Sequence, residues 1–213
     1  MSPDAPTDPG RAIASARIVG IARKLPPGAV VDIVGAAINE GIEVVEVTLD
    51  SDEALDQVRR LSATFPDVLV GAGSVLDRAG VAAAADAGAR FVVSPIVDEG
   101  VIEASIERRL GVFPGAATPT EIVRALRAGA TAVKVFPIAQ LGGASYLRAV
   151  MSPLGSPPLI PTGGVTADTA PGLLAAGAAA VGAGSSLFST SAFEAGGLAE
   201  ISRRAARWVE AVQ

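Results

Sequence analysis

The chain has 213 residues, half of them hydrophobic, and a net charge of −5 at neutral pH. This length fits one domain, and an acidic chain without a cluster of basic residues argues against nucleic acid or an anionic membrane as its main partner. Cysteine and histidine are both absent, which excludes disulfides, thiol nucleophiles, thiolate or imidazole metal sites and a Ser-His-Asp hydrolase.

The first ten residues, Met1 to Gly10, contain three prolines and lack the basic and apolar segments of a secretion signal. We predict a disordered tail over residues 1–10 and one domain over residues 11–213. No apolar run reaches the length of about 18 residues that a membrane span needs. We therefore expect a cytoplasmic protein that does not bind a membrane.

A helical stretch that ends in glycine and is followed by a short apolar strand occurs four times along the chain. The glycines Gly41, Gly88, Gly129 and Gly177 lie 47, 41 and 48 residues apart. Glycine at this place fits the left-handed backbone conformation that ends many helices. One further strand-like run precedes each module, and these four runs are Arg17–Ala22, Val68–Gly71, Leu110–Phe113 and Pro158–Pro161.

Eight short strands that alternate with helices predict βαβ units and a parallel sheet. In a chain of this length they fit a single (β/α)8 barrel of the TIM type, at the short end of its size range. An open doubly wound sheet is the alternative. The regular repetition disfavours it, and no Gly-rich dinucleotide fingerprint follows the first strand.

The positions five residues beyond the four glycines are Glu46, Val93, Lys134 and Gly182, on the second, fourth, sixth and eighth predicted strands. Each interior layer of a TIM barrel takes its four side chains from alternate strands, so these positions are predicted to form one layer. Glu46 and Lys134 would face each other across it. The small or neutral Val93 and Gly182 would leave room for a ligand.

Lysine is rare in this chain, because Lys24 and Lys134 are the only two lysines among its 17 basic residues. Lys24 stands beside Arg23 in a predicted surface loop, whereas Lys134 lies within an apolar strand. An exposed lysine on an edge strand is the alternative, but a parallel strand covered by helices has no watery face. Burial disfavours the charged ammonium, and the neutral amine is a nucleophile. We therefore predict that Lys134 is the catalytic nucleophile.

Glu46 lies inside the second predicted strand, where a structural role would need a buried partner such as an arginine. With histidine absent, a buried carboxyl is the main remaining candidate for proton transfer, and we predict this role for Glu46. An ionised Glu46 close to Lys134 would favour the charged form of the amine. A bridging water or a protonated carboxyl would resolve this conflict.

Two glycine-rich segments, Thr162–Gly164 and Gly182–Ser186, follow the seventh and eighth predicted strands. The backbone N–H groups of such loops bind anions, and in TIM barrels the loops at these two places often hold a phosphate. No lysine or arginine lies near either segment in the sequence. Arg23, which follows the first strand, suits a carboxylate, although a surface arginine explains it equally well.

Six motifs occur in order between Ile18 and Phe188 and resemble those of the 2-keto-3-deoxy-6-phosphogluconate / 4-hydroxy-2-oxoglutarate aldolases. They are Glu46–Leu49, Val70–Leu76, Phe91–Pro95, Pro114–Glu121, Lys134–Pro137 and Pro161–Val165. The resemblance implies a homotrimeric class I aldolase on a TIM barrel. Such an enzyme cleaves a 2-keto-3-deoxy sugar acid 6-phosphate, or 4-hydroxy-2-oxoglutarate, to pyruvate and an aldehyde, with no metal or organic cofactor.

The resemblance also implies roles for individual residues. Lys134 would form a Schiff base with the 2-keto acid, and Glu46 would transfer protons. The residues expected to line the pyruvate site are Ser74, Pro95 and Thr162. The expected phosphate contacts are Gly163, Gly164, Gly184 and Ser185.

One position departs from the family pattern. Gluconate-type members usually carry an arginine directly after Glu-Val-Thr-Leu, where this chain has Asp50 followed by Ser51. Galactonate-type relatives have Leu-Asn-Ser there and an arginine just after the first strand, which Arg23 matches. Arg23 is therefore expected to hold the substrate carboxylate in place of residue 50.

Two other functions stay open at this point. One is a phosphate-binding barrel epimerase or isomerase, which would form no covalent adduct with pyruvate. The other is a catalytically silent barrel that acts as a binding protein, which would hold a ligand without turnover. The unusual Asp50 is the feature that keeps this second alternative open.

Overall fold

The computed structural model describes residues 8–213, in which nine strands alternate with ten helices. The strands are β1 (Ile18–Ala22), β2 (Val44–Thr48), β3 (Leu69–Gly73), β4 (Phe91–Val93), β5 (Gly111–Phe113), β6 (Gly115–Ala116), β7 (Val133–Val135), β8 (Leu159–Pro161) and β9 (Val181–Ala183). The helices are α1 (Pro9–Ala16), α2 (Val30–Ile38), α3 (Ala54–Thr64), α4 (Arg78–Asp86), α5 (Glu99–Glu107), α6 (Pro119–Arg127), α7 (Ile138–Leu141), α8 (Gly143–Met151), α9 (Ala170–Ala175) and α10 (Thr190–Val212). Over these residues, no helix combines the length and the apolar character needed to cross a membrane.

The strands pair in parallel and form two sheets. One has the order β5-β4-β3-β2-β1-β9, and the other has the order β6-β7-β8. Pro114 separates β5 from β6, because a proline has no N–H to donate to the strand ladder. An isolated parallel bridge between Thr162 and Gly182 links the end of β8 to β9. The predicted α/β class is confirmed, with a curled parallel sheet as its centre.

The predicted repeat is confirmed at all four module glycines. Gly88, Gly129 and Gly177 directly follow the C-cap residues of α4, α6 and α9, with φ angles of 94°, 101° and 101°. Gly41 lies two residues after Asn39, the C-cap of α2, with a φ angle of 106°. Such angles strain any residue with a Cβ atom, which explains the glycine at each helix end.

Two apolar cores stabilise this fold. The larger one contains buried residues of both the helices and the strands. The smaller one is made of strand residues, the two alanines that directly precede β7 and β9, and Ile13 of α1. Its buried members are Ile13, Val19, Val44, Leu69, Phe91, Val93, Phe113, Ala132, Ile160 and Ala180. Several of them lie at the start of their strands, so α1 covers the N-terminal end of the curled sheet.

The predicted disordered tail extended to Gly10, and its residues 1–7 lie outside the described part of the chain. The structure corrects its end, since Pro9 and Gly10 form the first turn of α1. Two interactions explain the helix. The Asp8 carboxylate accepts a hydrogen bond of 2.8 Å from the Gly10 N–H, and Ile13 is buried to 2% exposure in the smaller core.

Candidate active site

Lys134 and Glu46 meet inside the curled sheet. Lys134 is the middle residue of β7 and Glu46 the middle residue of β2, so the pair bridges the two sheets. Lys134 Nζ lies 3.9 Å from Glu46 Oε1, and the two side chains are 13% and 2% exposed. The predicted proximity of these residues is confirmed, and the curl of the sheet is what produces it.

The environment of Glu46 favours its protonated form. Burial raises the pKa of Glu46, the nearby charges of Lys134 and Arg23 offset this only in part, and Asp50 adds to the rise. Within the described residues, Glu46 Oε1 is buried and accepts no hydrogen bond. A carboxyl group of this kind is suited to exchange a proton with a bound ligand or water.

Space for the Glu46 carboxyl is provided by Gly73, the last residue of β3. Gly73 pairs with Thr48 on the neighbouring strand β2, and a Cβ atom on Gly73 would overlap Glu46 Oε1. Any residue other than glycine would therefore displace the carboxyl.

On β7, opposite Glu46, Lys134 Nζ lies 5.6 Å from the centroid of the Phe136 ring, within the range of a cation–π contact.

The four residues predicted to form one layer, Glu46, Val93, Lys134 and Gly182, line a common interior cavity together with Thr162. Its volume of about 10 Å³ is close to the minimum for one water molecule. At this level the cavity is smaller than the space for a ligand that the sequence analysis expects. Large side chains from the intervening strands also line it, namely Ile21, Phe113 and Ile160. Because α1 covers the opposite end, a substrate would reach Lys134 from the C-terminal ends of the strands.

The glycine-rich loop after β8 lies beside this pair. Thr162 is buried, and Gly163 and Gly164 have φ angles of 93° and 74°. A Cβ atom on Gly163 would come within 2.9 Å of the Phe136 ring, so the loop needs glycine for both its conformation and its close approach. The Ser186 hydroxyl donates a hydrogen bond of 2.8 Å to the Val165 carbonyl. This bond joins the loop after β8 to the loop after β9.

The loop after β9 is open to solvent. Ser185 is exposed, and a Cβ atom on Gly184 would meet no atom within 4 Å. The Ser185 carbonyl accepts a hydrogen bond of 3.3 Å from Arg204 Nη1 on α10. Sequence analysis found no basic residue near this loop, because nineteen residues separate Arg204 from Ser185 and only folding brings them together.

Arg23 does not line the interior cavity. It follows β1, and its Nη2 atom donates a hydrogen bond of 2.6 Å to Asp50 Oδ2 after β2, with the side chains 58% and 34% exposed. Burial would raise the pKa of Asp50, but hydrogen bonds from Thr48 and Arg23, with the charges of Arg23 and Lys24, outweigh it and lower the pKa. Sequence analysis did not predict this ion pair. A guanidinium group has five N–H donors, so the others remain for a ligand.

Ser74 and Pro95 lie just beyond the C-terminal ends of β3 and β4, and their role in lining the pyruvate site stays a prediction. Ser74 is half-buried with a φ angle of 57°. The Pro95 carbonyl lies against Gly115, where a Cβ atom would overlap it, and Gly115 pairs with Lys134 in the sheet. No group of three or more acidic side chains that could hold a metal ion occurs in residues 8–213.

A largely covered amine next to a buried carboxyl, inside a curled parallel sheet and flanked by two glycine-rich loops, is the arrangement expected of a Schiff-base-forming lyase. The profile of the family described as "Aldolase: KDPG and KHG aldolase" matches residues 11–204. The chain belongs to this family, and the resemblance found in the sequence is confirmed.

Individual relatives agree with this assignment. The chain is 33% identical over 175 residues to the KHG/KDPG aldolase of Escherichia coli K12, covering 82% of each chain. It is 35% identical over 174 residues to the probable 2-dehydro-3-deoxy-6-phosphogalactonate aldolase of Rhizobium meliloti, covering 80% of this chain and 81% of that protein. A crystal structure of KDPG aldolase from Legionella pneumophila, with pyruvate captured as a covalent carbinolamine intermediate, superposes with a TM-score of 0.87 at 28% identity, covering 94% of this chain and 97% of the other.

Proposed function

We propose that this aldolase cleaves a 2-keto-3-deoxy sugar acid 6-phosphate, and more slowly 4-hydroxy-2-oxoglutarate, to pyruvate and an aldehyde. The observation that carries the proposal is the close pair of the largely covered Lys134 and the buried Glu46, with 3.9 Å between Nζ and Oε1. The relatives named KHG/KDPG aldolase support the substrate class, and the pyruvate carbinolamine in the Legionella pneumophila enzyme supports a covalent intermediate.

The first half of the reaction builds an electron sink. The neutral amine of Lys134 attacks the C2 ketone to form a carbinolamine. Protonated Glu46 gives its proton to the carbinolamine hydroxyl, which leaves as water, so a protonated imine and an ionised Glu46 remain. Burial raises the pKa of Glu46, whose Oε1 atom lies 3.9 Å from Lys134 Nζ, so this carboxyl group is suited to donate the proton that the step needs.

The second half breaks the carbon–carbon bond. Glu46, acting directly or through one water in the small cavity, takes the proton of the C4 hydroxyl, and the C3–C4 electrons move into the imine. The aldehyde leaves and an enamine of pyruvate remains on Lys134. Glu46 passes this proton to the C3 atom of the enamine, which gives the imine of pyruvate. Hydrolysis of this imine releases pyruvate, restores the neutral amine and returns one proton to Glu46, so atoms and charges balance.

The two glycine-rich loops are proposed to bind the phosphate group of the substrate. The contacts would be made by backbone N–H groups and hydroxyls of Gly163, Gly164, Gly184 and Ser185. The wild-type enzyme is then expected to have a kcat/KM at least about tenfold higher for a six-carbon 6-phosphate than for its unphosphorylated analogue, since one hydrogen bond to a charged group contributes about 1.5–3 kcal/mol. A coupled assay of pyruvate release measures both values.

Gly184→Asp tests the location of this phosphate site. A side chain at Gly184 meets no neighbouring atom, so the aspartate should fit and bring its charge beside the phosphate. We expect kcat/KM for the phosphorylated substrate to fall by about tenfold or more, with little change for the unphosphorylated one. Gly184→Ala is the size control and should have a smaller effect. Equal values for both substrates in the wild type, and no response to either variant, would make these loops ordinary turns.

Arg23 is proposed to bind the substrate carboxylate. Arg23→Ala should raise KM for 2-keto acids by about ten- to a hundredfold with little change in kcat, because it removes a charge-assisted hydrogen bond. Asp50→Ala should leave KM unchanged or lower it, since Asp50 competes with the substrate for the Arg23 guanidinium.

Arg59→Ala provides the matched control for this pair. Arg59 makes an ion pair of 3.3 Å with Asp56 and is as exposed as Arg23, but it lies on α3 and carries no proposed role. Steady-state kinetics of the three variants decide the question. If Asp50→Ala raised KM and Arg23→Ala did not, the carboxylate would bind at residue 50.

We further infer that the two sheets close into one (β/α)8 barrel, in which β5 and β6 act as a single bent strand. The bridge from Thr162 to Gly182 and the single residue between β5 and β6 support this closure.

The homotrimer implied by the resemblance and the cytoplasmic location stay predictions. Exposed apolar side chains beyond β3 and β4, Leu76 and Ile96, support a covered surface at that end of the protein.

A further inference from the structure

We propose that Arg204 is a positioning residue that holds the loop after β9 in the conformation needed to bind a phosphate group. This inference rests on the phosphate selectivity proposed above. Arg204 lies on α10, outside the curled sheet, and nothing in the sequence near the glycine-rich loops points to it.

The contact between Arg204 and the loop fixes one peptide plane. Arg204 Nη1 donates a hydrogen bond of 3.3 Å to the Ser185 carbonyl. In a planar trans peptide the carbonyl of one residue and the N–H of the next point in opposite directions. By holding the Ser185 carbonyl toward α10, Arg204 aims the Ser186 N–H away from the helix.

The Ser186 N–H is available to a ligand. No hydrogen bond from this N–H occurs in the part of the chain that the structure describes, whereas the neighbouring turn is closed by bonds of 2.9 Å from Leu187 and Phe188 to the Gly184 carbonyl. The Ser186 hydroxyl is engaged with the Val165 carbonyl. The hydrogen bonds of the turn thus fix the backbone of the loop, and the Ser186 N–H beside Gly184 and Ser185 can donate to a ligand.

Arg204 is itself held in place from the side. Its Nε atom donates a hydrogen bond of 2.7 Å to Glu200 Oε1, one helical turn earlier on α10, and its side chain is 29% exposed. Glu200 also binds Arg203, so the cluster of one carboxylate and two guanidinium groups carries a net positive charge.

Arg203 supplies a matched control. It shares the partner Glu200 and the same helix, but its side chain is 67% exposed, and within residues 8–213 its hydrogen bonds go to Glu200 and not to the loop. Arg203→Gln removes the same charge from the same cluster without touching Ser185. A difference between Arg204→Gln and Arg203→Gln therefore reports the bond to the loop and not the change in net charge.

The experiment compares KM and kcat of these variants for a 2-keto-3-deoxy sugar acid 6-phosphate and for its unphosphorylated analogue. Arg204→Gln should raise KM for the phosphorylated substrate by about three- to tenfold, the loss of one hydrogen bond, while kcat and both constants for the analogue stay unchanged. The inhibition constant of inorganic phosphate should rise by the same factor. Arg203→Gln should change none of these values.

Arg204→Lys extends the test if the glutamine variant unfolds. A lysine keeps the charge, but it lacks the planar guanidinium group that donates to Glu200 and to the Ser185 carbonyl at the same time. Arg204→Lys should therefore give a KM for the phosphorylated substrate between those of the wild type and Arg204→Gln. Suppose that the wild type prefers the phosphorylated substrate. If neither Arg204 variant then changes KM, or if the variants affect both substrates alike, the inference on Arg204 is wrong and the phosphate proposal stands. If the wild type has no preference, both fail.

Discussion

Borohydride added to the enzyme together with pyruvate is expected to abolish activity and to attach one reduced pyruvate to the peptide that contains Lys134. The imine formed between the amine and the ketone is reduced to a stable secondary amine, which blocks the nucleophile. Lys134→Ala should lower kcat by about 10⁴-fold or more, as the loss of a covalent nucleophile does. Peptide mass spectrometry locates the label.

The chain provides its own control for this experiment, because Lys24 is the other of its two lysines. The Lys24 side chain is 68% exposed and lies 4.0 Å from Asp50, so an amine that reacts merely because it is accessible would be labelled there. Lys24→Arg should retain activity and full labelling. A label on Lys24, or none, would contradict the Schiff base and return the epimerase and binding-protein alternatives to consideration.

Glu46→Gln is expected to lower kcat by about 10²- to 10⁴-fold, the usual contribution of a general acid–base group, while the pyruvate adduct still forms on Lys134. The amide has nearly the same shape as the carboxyl but cannot accept the C4 hydroxyl proton. Single-turnover measurements of adduct formation and of pyruvate release separate the two steps. A kcat close to that of the wild type would show that another group moves the proton.

The pH dependence of kcat/KM gives a second readout. The free enzyme starts the reaction with Glu46 protonated, and burial raises the pKa of Glu46, so kcat/KM should fall on the alkaline side at a higher pH than an ordinary glutamate would allow. The fall should disappear in Glu46→Gln. A carboxyl whose pKa is higher in the folded state costs stability as the pH rises through its folded pKa, so Glu46→Gln should not unfold at a lower temperature than the wild type at pH 8.

Gly73→Ala tests the position of Glu46 without changing the carboxyl. A Cβ atom at residue 73 would overlap Glu46 Oε1, so the carboxyl must move away from Lys134. We expect a loss of kcat that approaches the loss in Glu46→Gln, with the Lys134 adduct retained. An unaffected kcat would mean that proton transfer does not depend on this placement.

The identity of the two candidate catalytic residues can be predicted from local sequence, because the fold repeats one module along the chain. The helix-ending glycines mark where each module restarts, and equal spacing from them places Glu46 and Lys134 at equivalent points of two strands. A lysine and a glutamate inside apolar strands stand out because burial of a charge is costly. The spacing does not give the size of the space between them, because that depends on Ile21, Phe113 and Ile160 of other strands.

The sequence by itself determined the class of fold, the two candidate catalytic residues, the glycine-rich loops and the family, since each depends on residue type and local spacing. Only the tertiary structure decided the ion pair of Arg23 with Asp50, the space that Gly73 leaves for Glu46, and the contact of Arg204 with Ser185. It also decided that α1 begins within the predicted tail. These features depend on contacts between residues distant in the chain, and such contacts are fixed by how the strands curl and the helices pack, which no local pattern records.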